Sequence, residues 1–526
     1  MVKEHRINYL IFFSLILIVL FIRIGNLNFI DGRYLWAEDG NIFINQALSL
    51  KWESIFKTYN GYIHLYPRLI SLFAVQLNLV FLPIVFFVAW IVAVLYSSFV
   101  IFKWLYKQTD SIIIAMFVPL LVLLQPNSGE VFFTITNSQW FLSLALIILL
   151  IDKEYKVNYK NFFVLILLGL TGPFSVLILP ILFFSIIIRK DLKENYLKYL
   201  IILSTALIQV YFIANSNRVG GDVDTNIFHW LKSFFIFITF GTKGFFAILS
   251  ILIWLTLFIY LIKFFYDVYK KRFTDKQING LILLMGLFIL YFAGLWSAKQ
   301  LPYILNPIGG GARYFVVPYA LLFISLPLFI NQKKILYGVL FLIFIVCVQQ
   351  FTKVERPSLN YQSFIWFAQY NKKLNIPISP QWETYPGWHI EIKNYKIKSV
   401  KPIIIPEKNI SLINAVKSGN SFESINNDMQ LLFDVPVQCK YSPHIGVEVD
   451  LNRADAGWSQ IFYANSSNVF SEKNSLRRYY PSGSVIMHFA FRNKNITKIR
   501  IDPTEQQEQI KIEAIKLYCD INDKSK

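Results

Sequence analysis

The chain has 526 residues, of which 55% are hydrophobic and only 16% are charged, and its mean hydropathy is +0.47. A soluble domain carries about 25% charged residues, so this composition excludes an ordinary soluble protein. The formal charge is +19, yet residues 401–526 hold 16 Lys and Arg against 14 Asp and Glu. Most of the positive charge therefore lies in the apolar part, which favours basic loops beside a membrane over a nucleic-acid-binding tail.

Long apolar runs in residues 1–350 predict an α-helical polytopic membrane bundle of about eleven transmembrane helices, because roughly 20 apolar residues span a bilayer. The first run lacks a small-residue cleavage site, so we interpret it as a retained anchor rather than a signal peptide. A short interfacial helix is expected at 41–50, inside the polar loop 31–68. The predicted transmembrane helices are 7–29, 78–102, 111–126, 138–151, 161–171, 173–188, 199–214, 244–262, 278–297, 313–330 and 335–350.

The basic residues indicate an orientation for this bundle. Lys and Arg concentrate in alternate loops, from Lys3 and Arg6 at the start to Lys333 and Lys334 before the last helix. Because short basic loops remain in the cytoplasm, the N-terminus is expected inside. Eleven crossings then place everything after the last helix outside, whereas an even number of crossings would invert that placement.

The chain changes character after the last predicted helix. Residues 351–400 are rich in Trp, Tyr and Pro and predict a connector at the membrane interface. Residues 401–526 alternate apolar and polar side chains in several short segments, which predicts a β-sandwich-like soluble domain. Cys439 and Cys519 lie in this domain, either as a disulfide, if the domain is exported, or as two small core residues. The clearest alternating segments are 446–451, 485–491, 496–501 and 510–515.

The adjacent carboxylates Glu38 and Asp39 are the sharpest chemical feature of the predicted first outer loop. In a loop or at the start of a helix the two can converge, one as a general base and the other as a ligand for a sugar or a divalent cation. The alternative is an acidic pair that interacts with the dipole of the interfacial helix. No second carboxylate pair completes a metal site, so a Mg²⁺ or Mn²⁺ ion would depend on these two residues.

Other polar residues fall on the same predicted face. Arg313 follows three glycines at the start of a helix, which suits an anionic group such as phosphate, although an interfacial Arg at a helix end is the alternative. Lys299 and Arg68 have the same two interpretations. Glu130 needs a partner beside a membrane helix, either Asn137 or a basic residue. His64 either moves a proton or lies at the interface. No nucleotide-binding loop is present, which argues against an ATP-driven transporter.

Six short segments resemble motifs of polytopic bacterial glycosyltransferases of the GT-C superfamily, in the same order along residues 1–350. Each segment is short, and the resemblance depends on their combination. The segments are Trp-Ala-Glu-Asp-Gly (36–40), Tyr-Asn-Gly-Tyr-Ile-His-Leu-Tyr-Pro-Arg (59–68), Asn-Ser-Gly-Glu (127–130), Thr-Asn-Ser-Gln-Trp (136–140), Thr-Gly-Pro-Phe (171–174) and Gly-Ala-Arg-Tyr (311–314).

The resemblance implies transfer of a sugar from a polyprenyl-phosphate donor to a glycan or lipid-linked acceptor at the outer face of the bacterial cytoplasmic membrane. It also implies a catalytic acid in the first outer loop, a role that maps onto Asp39, with Glu38 second. The sequence then offers Arg313, Lys299 and Arg68 for the donor phosphate. The expected substrate-binding residues are His64, Glu130, Asn137, Trp140 and Tyr314.

Two other functions remain open at this point. A transporter or flippase for lipid-linked saccharides would need a polar route through the bundle, and few ionisable residues fall in the middle of the predicted helices. A non-catalytic, membrane-anchored glycan-binding protein would instead use the β domain. There the aromatic side chains Trp458, Tyr463, Tyr479 and Tyr480 either stack on a glycan or belong to the core.

Overall fold

The computed structural model describes residues 2–216, 222–398, 400–419, 421–465 and 469–520. Residues 399 and 521–526, which fall in the predicted connector and β domain, lie outside the described residues. The chain forms two compact units. The first, here called the helical unit, comprises Met1–Leu27, Trp52–Ser71 and Phe86–Glu355. The second, here called the β unit, comprises Asn28–Lys51, Leu72–Val85 and Arg356–Lys526.

These units differ from the sequence-based division into 1–350, 351–400 and 401–526. Two segments of the N-terminal half, Asn28–Lys51 and Leu72–Val85, group with the β unit. The α-helices are α1 (Val2–Arg23), α2 (Asn45–Leu50), α3 (Leu65–Ala74), α4 (Leu82–Thr109), α5 (Ile112–Leu124), α6 (Ser138–Ile151), α7 (Tyr159–Gly169), α8 (Phe174–Leu177), α9 (Leu179–Arg189), α10 (Leu192–Ala214), α11 (Ile227–Ile238), α12 (Phe245–Tyr269), α13 (Asp275–Ser297), α14 (Arg313–Phe329), α15 (Lys333–Gln349) and α16 (Tyr361–Phe367).

Each predicted transmembrane segment coincides with a helix, the sixth being divided into α8 and α9. Among the described residues, five helical stretches are long and apolar enough to cross a membrane. A shorter helix such as α6, with 14 residues, spans about 21 Å at 1.5 Å per residue, less than the ~30 Å hydrocarbon core. The count of eleven crossings therefore stays a prediction. The five stretches are Arg6–Arg23, Leu79–Thr109, Leu192–Ala214, Phe245–Tyr269 and Asp275–Ser297.

Two helices of the helical unit, α6 and α14, are almost completely buried. In α14 every residue from Phe315 to Phe329 is buried, and in α6 every residue from Phe141 to Ile151 is buried. A helix that is apolar on all sides is expected where other helices surround it. Two further helices, α3 and α11, were not predicted, because the first begins inside a polar loop and the second follows a Gly- and Asp-rich segment.

The C-terminal part of the β unit is built of antiparallel sheets, as the alternating sequence predicts. One sheet has the strand order β10-β9-β12-β7-β4 and another β11-β8-β13-β6-β5, with β3 beside β13. The strands are β1 (Lys373–Pro377), β2 (His389–Lys393), β3 (Ile403–Ile404), β4 (Ser411–Ile413), β5 (Ala415–Ser418), β6 (Ser421–Ser424), β7 (Gln430–Asp434), β8 (His444–Arg453), β9 (Gly457–Asn465), β10 (Ser475–Tyr480), β11 (Gly483–Arg492), β12 (Ile496–Asp502) and β13 (Gln509–Tyr518).

The two larger sheets pack through their buried side chains. Tyr463 of β9 stacks on Phe491 of β11 at 4.5 Å between ring centroids, and this contact joins one sheet to the other. Cys439 and Cys519 form a disulfide with 5.4 Å between their Cα atoms, so the pairing left open by the sequence is present. Cys347, in α15, is a buried free thiol.

Residues 351–400 are more ordered than the predicted connector. They contain α16 and a two-stranded antiparallel hairpin of β1 and β2, in which Leu374 pairs with Ile392. The short helix expected at 41–50 is present as a π-helical stretch, Asp39–Ile44, followed by α2, and its location at a membrane interface stays a prediction. This helical stretch belongs to the β unit rather than to the helical unit.

Candidate functional site

Two of the motif segments are paired in the helical unit. His64 forms an antiparallel bridge with Thr171, and the Gly172 amide donates to the Ile63 carbonyl at 3.1 Å. The side chain of Gln209, in α10, accepts from the Ile63 amide at 2.9 Å and donates to the carbonyls of Ile63 and Gly172 at 3.1 and 3.0 Å. Sequence analysis missed Gln209, although an amide inside an apolar helix was a signal that it has a polar partner.

Position 172 requires a glycine for two reasons, its backbone conformation and the close approach of a neighbouring side chain. Its φ of +84° lies in the left-handed region, and a Cβ there would lie 2.3 Å from Oε1 of Gln139. The next residue of that neighbouring segment, Trp140, packs edge-on against Phe174 at 5.2 Å and against Tyr314 at 5.8 Å. Three motif segments therefore meet at the Trp140 ring.

An ion pair between Glu130 and Arg313 lies beside this aromatic cluster. The Arg313 side chain donates to Oε1 of Glu130, and its amide donates to Oε2 at 3.4 Å. The Glu130 side chain is 18% exposed and the Arg313 side chain 40% exposed. Arg313 thus has a carboxylate partner while part of its side chain remains exposed, an arrangement that suits an anion.

Asn137 and Asn127 connect the pair to its surroundings. Asn137 donates to the Glu130 carbonyl at 2.9 Å and accepts from the Trp140 indole at 3.1 Å. Asn127 donates to the Ala312 carbonyl at 3.3 Å. These buried amides hold the segment that carries Glu130 against the start of α14, so the ion pair is positioned by its neighbours.

His64, Arg68 and Lys299 have different environments. His64 is 1% exposed and lies against the Tyr62 ring at 4.6 Å. Burial, reinforced by Arg68, lowers the pKa of His64 to about 3, so its imidazole is neutral near pH 7. Arg68 is also 1% exposed. Among the described residues, the Lys299 ammonium lies over Trp296 at 5.4 Å and does not contact the Glu130–Arg313 pair.

Asp39 and Glu38 belong to the β unit. The Ala37 amide donates to the Ser379 carbonyl at 2.6 Å, and an added Cβ at Gly40 would lie 2.4 Å from the Ile378 side chain. The motif segment therefore packs closely against the residues after β1. Asp39 is fully buried, and its Oδ2 accepts from the Trp36 amide at 3.2 Å. Asp39 begins the helical stretch, which is the position where a carboxylate interacts favourably with a helix dipole.

The carboxylates give an incomplete metal site. Among the described residues, no group of three or more His, Cys, Asp and Glu side chains is arranged to hold a metal ion. Glu38 and Asp39 alone would fit Mg²⁺ only with oxygen ligands from a bound substrate, since Mg²⁺ commonly binds through one or two carboxylates and substrate phosphates.

The aromatic residues expected to stack on a glycan divide into two groups. Tyr480 is 1% exposed and belongs to the core of the β unit, and Tyr463 is half-buried with its ring stacked on Phe491. Trp458 and Tyr479 are half-buried neighbours at 5.7 Å. Arg477 lies over the Trp458 ring at 4.6 Å, and this cation–π contact occupies one face of the indole.

No protein-family model and no curated protein matches the chain. Among solved structures, one described as "BiXyn10A CBM1 APO" matches at 8% sequence identity with a TM-score of 0.17, and the match covers 22% of this chain and 89% of that chain. A likeness at this level carries no argument about fold or function.

Proposed function

We propose that the chain is a polytopic membrane glycosyltransferase, similar to the GT-C superfamily, that moves a sugar from a polyprenyl-phosphate donor to a cell-surface glycan or lipid-linked acceptor. The convergence of motif segments around the Glu130–Arg313 pair carries this proposal. Segments that are distant in sequence contribute an oriented cation, buried amides and aromatic rings to one place. Such a combination suits a sugar attached to a phosphate.

The proposed reaction is an inverting displacement at the anomeric carbon. An acceptor hydroxyl attacks this carbon, the bond from the carbon to the phosphate oxygen breaks, and the polyprenyl phosphate leaves with the bonding electrons. Asp39 takes the proton of the hydroxyl as general base, with Glu38 as the second carboxylate. Arg313 stabilises the charge that develops on the phosphate, and Glu130 keeps its guanidinium oriented.

The remaining predicted residues have supporting roles in this proposal. Arg68 and Lys299 add positive charge for the donor phosphate. Neutral His64 accepts or donates one hydrogen bond to the substrate, a role that its low pKa favours over proton release near pH 7. Asn137 acts through Glu130 and Trp140. Trp140 and Tyr314 present ring faces and edges to the sugar.

The proposal includes a location in the bacterial cytoplasmic membrane with eleven crossings, a cytoplasmic N-terminus and an extracytoplasmic C-terminal domain. The five long apolar helices support membrane insertion. The disulfide between Cys439 and Cys519 supports export of the β unit, because disulfides persist in oxidising compartments. A lipid-linked donor accounts for the placement of this chemistry in a membrane bundle.

The test is Asp39→Asn in cells that make the native surface glycan. Asn keeps an oxygen that can accept from the Trp36 amide, so the local fold is expected to persist, but it cannot take a proton as a carboxylate does. We expect loss of one sugar from the glycan, by at least 100-fold, at an unchanged protein level. Composition analysis of the purified surface glycan measures this.

Asp31→Asn is the matched control, since Asp31 is also buried in the same loop and is bonded to Arg33 instead. It is expected to leave the glycan unchanged. An unaltered glycan in the Asp39→Asn strain would contradict the proposed glycosyltransferase activity. If lipid-linked saccharide instead accumulates on the cytoplasmic side, the result favours a flippase.

A further inference from the structure

A half-open cleft of about 500 Å³ lies within the β unit. Asn41, Gln46 and Ser49, on the helical stretch after Asp39, line one side, and Glu391 and Tyr395, at the end of the β1–β2 hairpin, line the other. The volume falls in the range of about 300–1,000 Å³ that is usual for small-ligand sites. No residue of this cleft belongs to the predicted site.

A single side chain fixes the two walls relative to each other. The Asn45 amide donates to the carbonyls of Asn41 and His389 at 3.3 and 3.2 Å, and its oxygen accepts from the Glu391 amide at 2.8 Å. The opposite wall is held by the Tyr395 hydroxyl, which donates to Asn78 at 3.2 Å. The cleft is therefore formed before a ligand arrives, which lowers the cost of binding.

The bonds of Asn45 also exclude one class of ligand. A peptide that extends a sheet pairs its main chain with the edge of a strand. Here Asn45 occupies the carbonyl of His389 and the amide of Glu391, both on β2. An extended peptide consequently has no continuous edge to pair with, and recognition must proceed through side chains.

The lining side chains match a hydroxyl-rich ligand. Amides and hydroxyls from Asn41, Gln46 and Ser49 can donate and accept hydrogen bonds, while buried Leu79 and Ile392 contribute an apolar floor. Tyr395 adds an aromatic ring; the Lys396 ammonium lies over one face at 5.4 Å, and the other face can pack against the C–H face of a sugar. The Glu391 carboxylate is paired with Lys373 at 2.7 Å and Lys393 at 2.5 Å, and Lys396 also lines the cleft. The cleft is therefore weakly basic, which suits both neutral and acidic sugars.

We propose that this cleft is a saccharide-binding subsite. Its further assignment as the subsite for the glycan acceptor rests on the proposed function. Asn41 follows Asp39 by two residues on one helical stretch, and residues two apart do not face each other. The cleft therefore holds a sugar of the acceptor other than the one whose hydroxyl reacts, and it selects acceptors that are at least a few sugars long.

The test measures binding of the full-length chain in detergent to an array of defined oligosaccharides that contain hexoses, N-acetylhexosamines and uronic acids. We expect selective binding, and at least a 10-fold loss of affinity in Tyr395→Ala and in Ser49→Trp, which places a ring in the cleft from its exposed rim. Tyr441→Ala is the matched control, because Tyr441 is a 72% exposed tyrosine of the same unit, and it should bind as the unmodified chain does.

Binding that survives in both cleft variants, or no binding of any array member by the unmodified chain, would overturn the proposal. Ser49→Trp keeps the test decisive if Tyr395→Ala does not fold. Asp39→Asn separates this proposal from the enzymatic one, since it should bind the array normally. If Asp39→Asn cells keep a normal glycan while the cleft variants lose binding, the saccharide subsite stands and the transferase fails.

Discussion

Each unit of the molecule contains an Arg–Glu ion pair whose carboxylate is largely buried, and the arginine side chain is buried in one of these two pairs and partly exposed in the other. In the β unit, Arg453 and Glu508 have side chains that are 0% and 2% exposed, with 2.9 Å between Nη2 and Oε1. Glu508 also accepts from the amides of Ala454 and Asp455 at 3.1 and 3.2 Å. In the helical unit, the Arg313 side chain of the Glu130–Arg313 pair is 40% exposed.

The difference indicates what each pair can do. A buried pair that is held by several further hydrogen bonds contributes to a unique fold, but its guanidinium has no exposed surface with which to bind a ligand. An oriented guanidinium with exposed surface can bind an anion without reorganisation. We therefore interpret the pair of the β unit as structural and the pair of the helical unit as the candidate binding group.

The largest effect on stability is expected from Glu508→Gln. This substitution leaves the buried Arg453 charge without a carboxylate, at a cost of roughly 3–5 kcal/mol in the free energy of unfolding. Amide hydrogen exchange of β8 and β13 in the full chain measures the change, with exchange accelerated by more than about 100-fold.

Glu505→Gln provides a matched control in the same loop. Glu505 pairs with Arg477, and both side chains are about half exposed, at 40% and 47%. An exposed pair is worth at most about 1 kcal/mol, so exchange should change little. If Glu508→Gln and Glu505→Gln accelerate amide exchange equally, the buried pair stabilises the β unit no more than the exposed pair does.

The disulfide is expected to contribute roughly 2–4 kcal/mol to the β unit, since it closes a long loop of the unfolded chain. Replacing both Cys439 and Cys519 by Ser should weaken exchange protection in the β strands. Cys347 in α15 is a thiol reporter for the other unit, because it is buried and free. Its labelling on heating should change little if the helical unit is stable by itself.

The same cysteines test the proposed orientation. Chains taken from cells and denatured without reductant should label at one thiol, and at three after reduction, if the β unit is exported. Three thiols without reduction would place the β unit in a reducing compartment and would contradict the predicted odd number of crossings.

Arg313→Ala is expected to reduce sugar transfer by about 100-fold, or ~2.7 kcal/mol, because a charged donor to the leaving phosphate is lost. Arg313→Lys should retain part of the activity, as Lys keeps the charge but not the fork geometry. Transfer to the native glycan by isolated membranes gives the measurement. Arg272→Ala, which removes an exposed arginine between α12 and α13, is the control. If membranes with Arg313→Ala transfer sugar at the same rate as those with the unmodified chain, Arg313 has no role in catalysis.

The sequence predicted the regular elements of this fold far better than their grouping. The apolar segments predicted as helices at 138–151 and 313–330 coincide with α6 and α14 nearly to the residue, and the alternating segment 485–491 falls inside β11. These patterns are local, so a local reading detects them. The hairpin of β1 and β2 was missed because its first strand is short and ends in proline.

The grouping of Asp39 with the β unit could not be read from its own segment. It depends on contacts with Ser379 and Ile378, more than 300 residues later in the chain, which no periodicity records. The partner of the Glu130 carboxylate was anticipated more closely, since a basic residue, Arg313, pairs with it, while Asn137 donates to the main-chain carbonyl of Glu130. Charge and burial restrict the choice of partner more strongly than they restrict the packing of a loop.

The carboxylate of Glu448 makes the stability of the β unit depend on pH in the acid range, an effect not expected of the exposed carboxylates. His488 lies 3.6 Å and Lys516 2.7 Å from its oxygens, and together they lower its pKa to about 2, against the effect of burial. A depressed carboxylate pKa stabilises the fold at pH values above the unfolded pKa of about 4.5. That stabilisation is lost as the pH falls from about 5 towards 2.

We therefore expect acid to destabilise the β strands by roughly 1–3 kcal/mol through this residue. Hydrogen exchange of β8, corrected for intrinsic rates, should show a smaller loss of protection between pH 5 and pH 3 in Glu448→Gln than in the unmodified chain. Glu513→Gln is the control, since Glu513 forms an exposed pair with Lys511 on β13 and should retain the full acid response. If Glu448→Gln and the unmodified chain lose protection equally, then His488 and Lys516 do not stabilise the fold through this carboxylate, and the stability of the β unit must be attributed to its apolar core and its other buried pair.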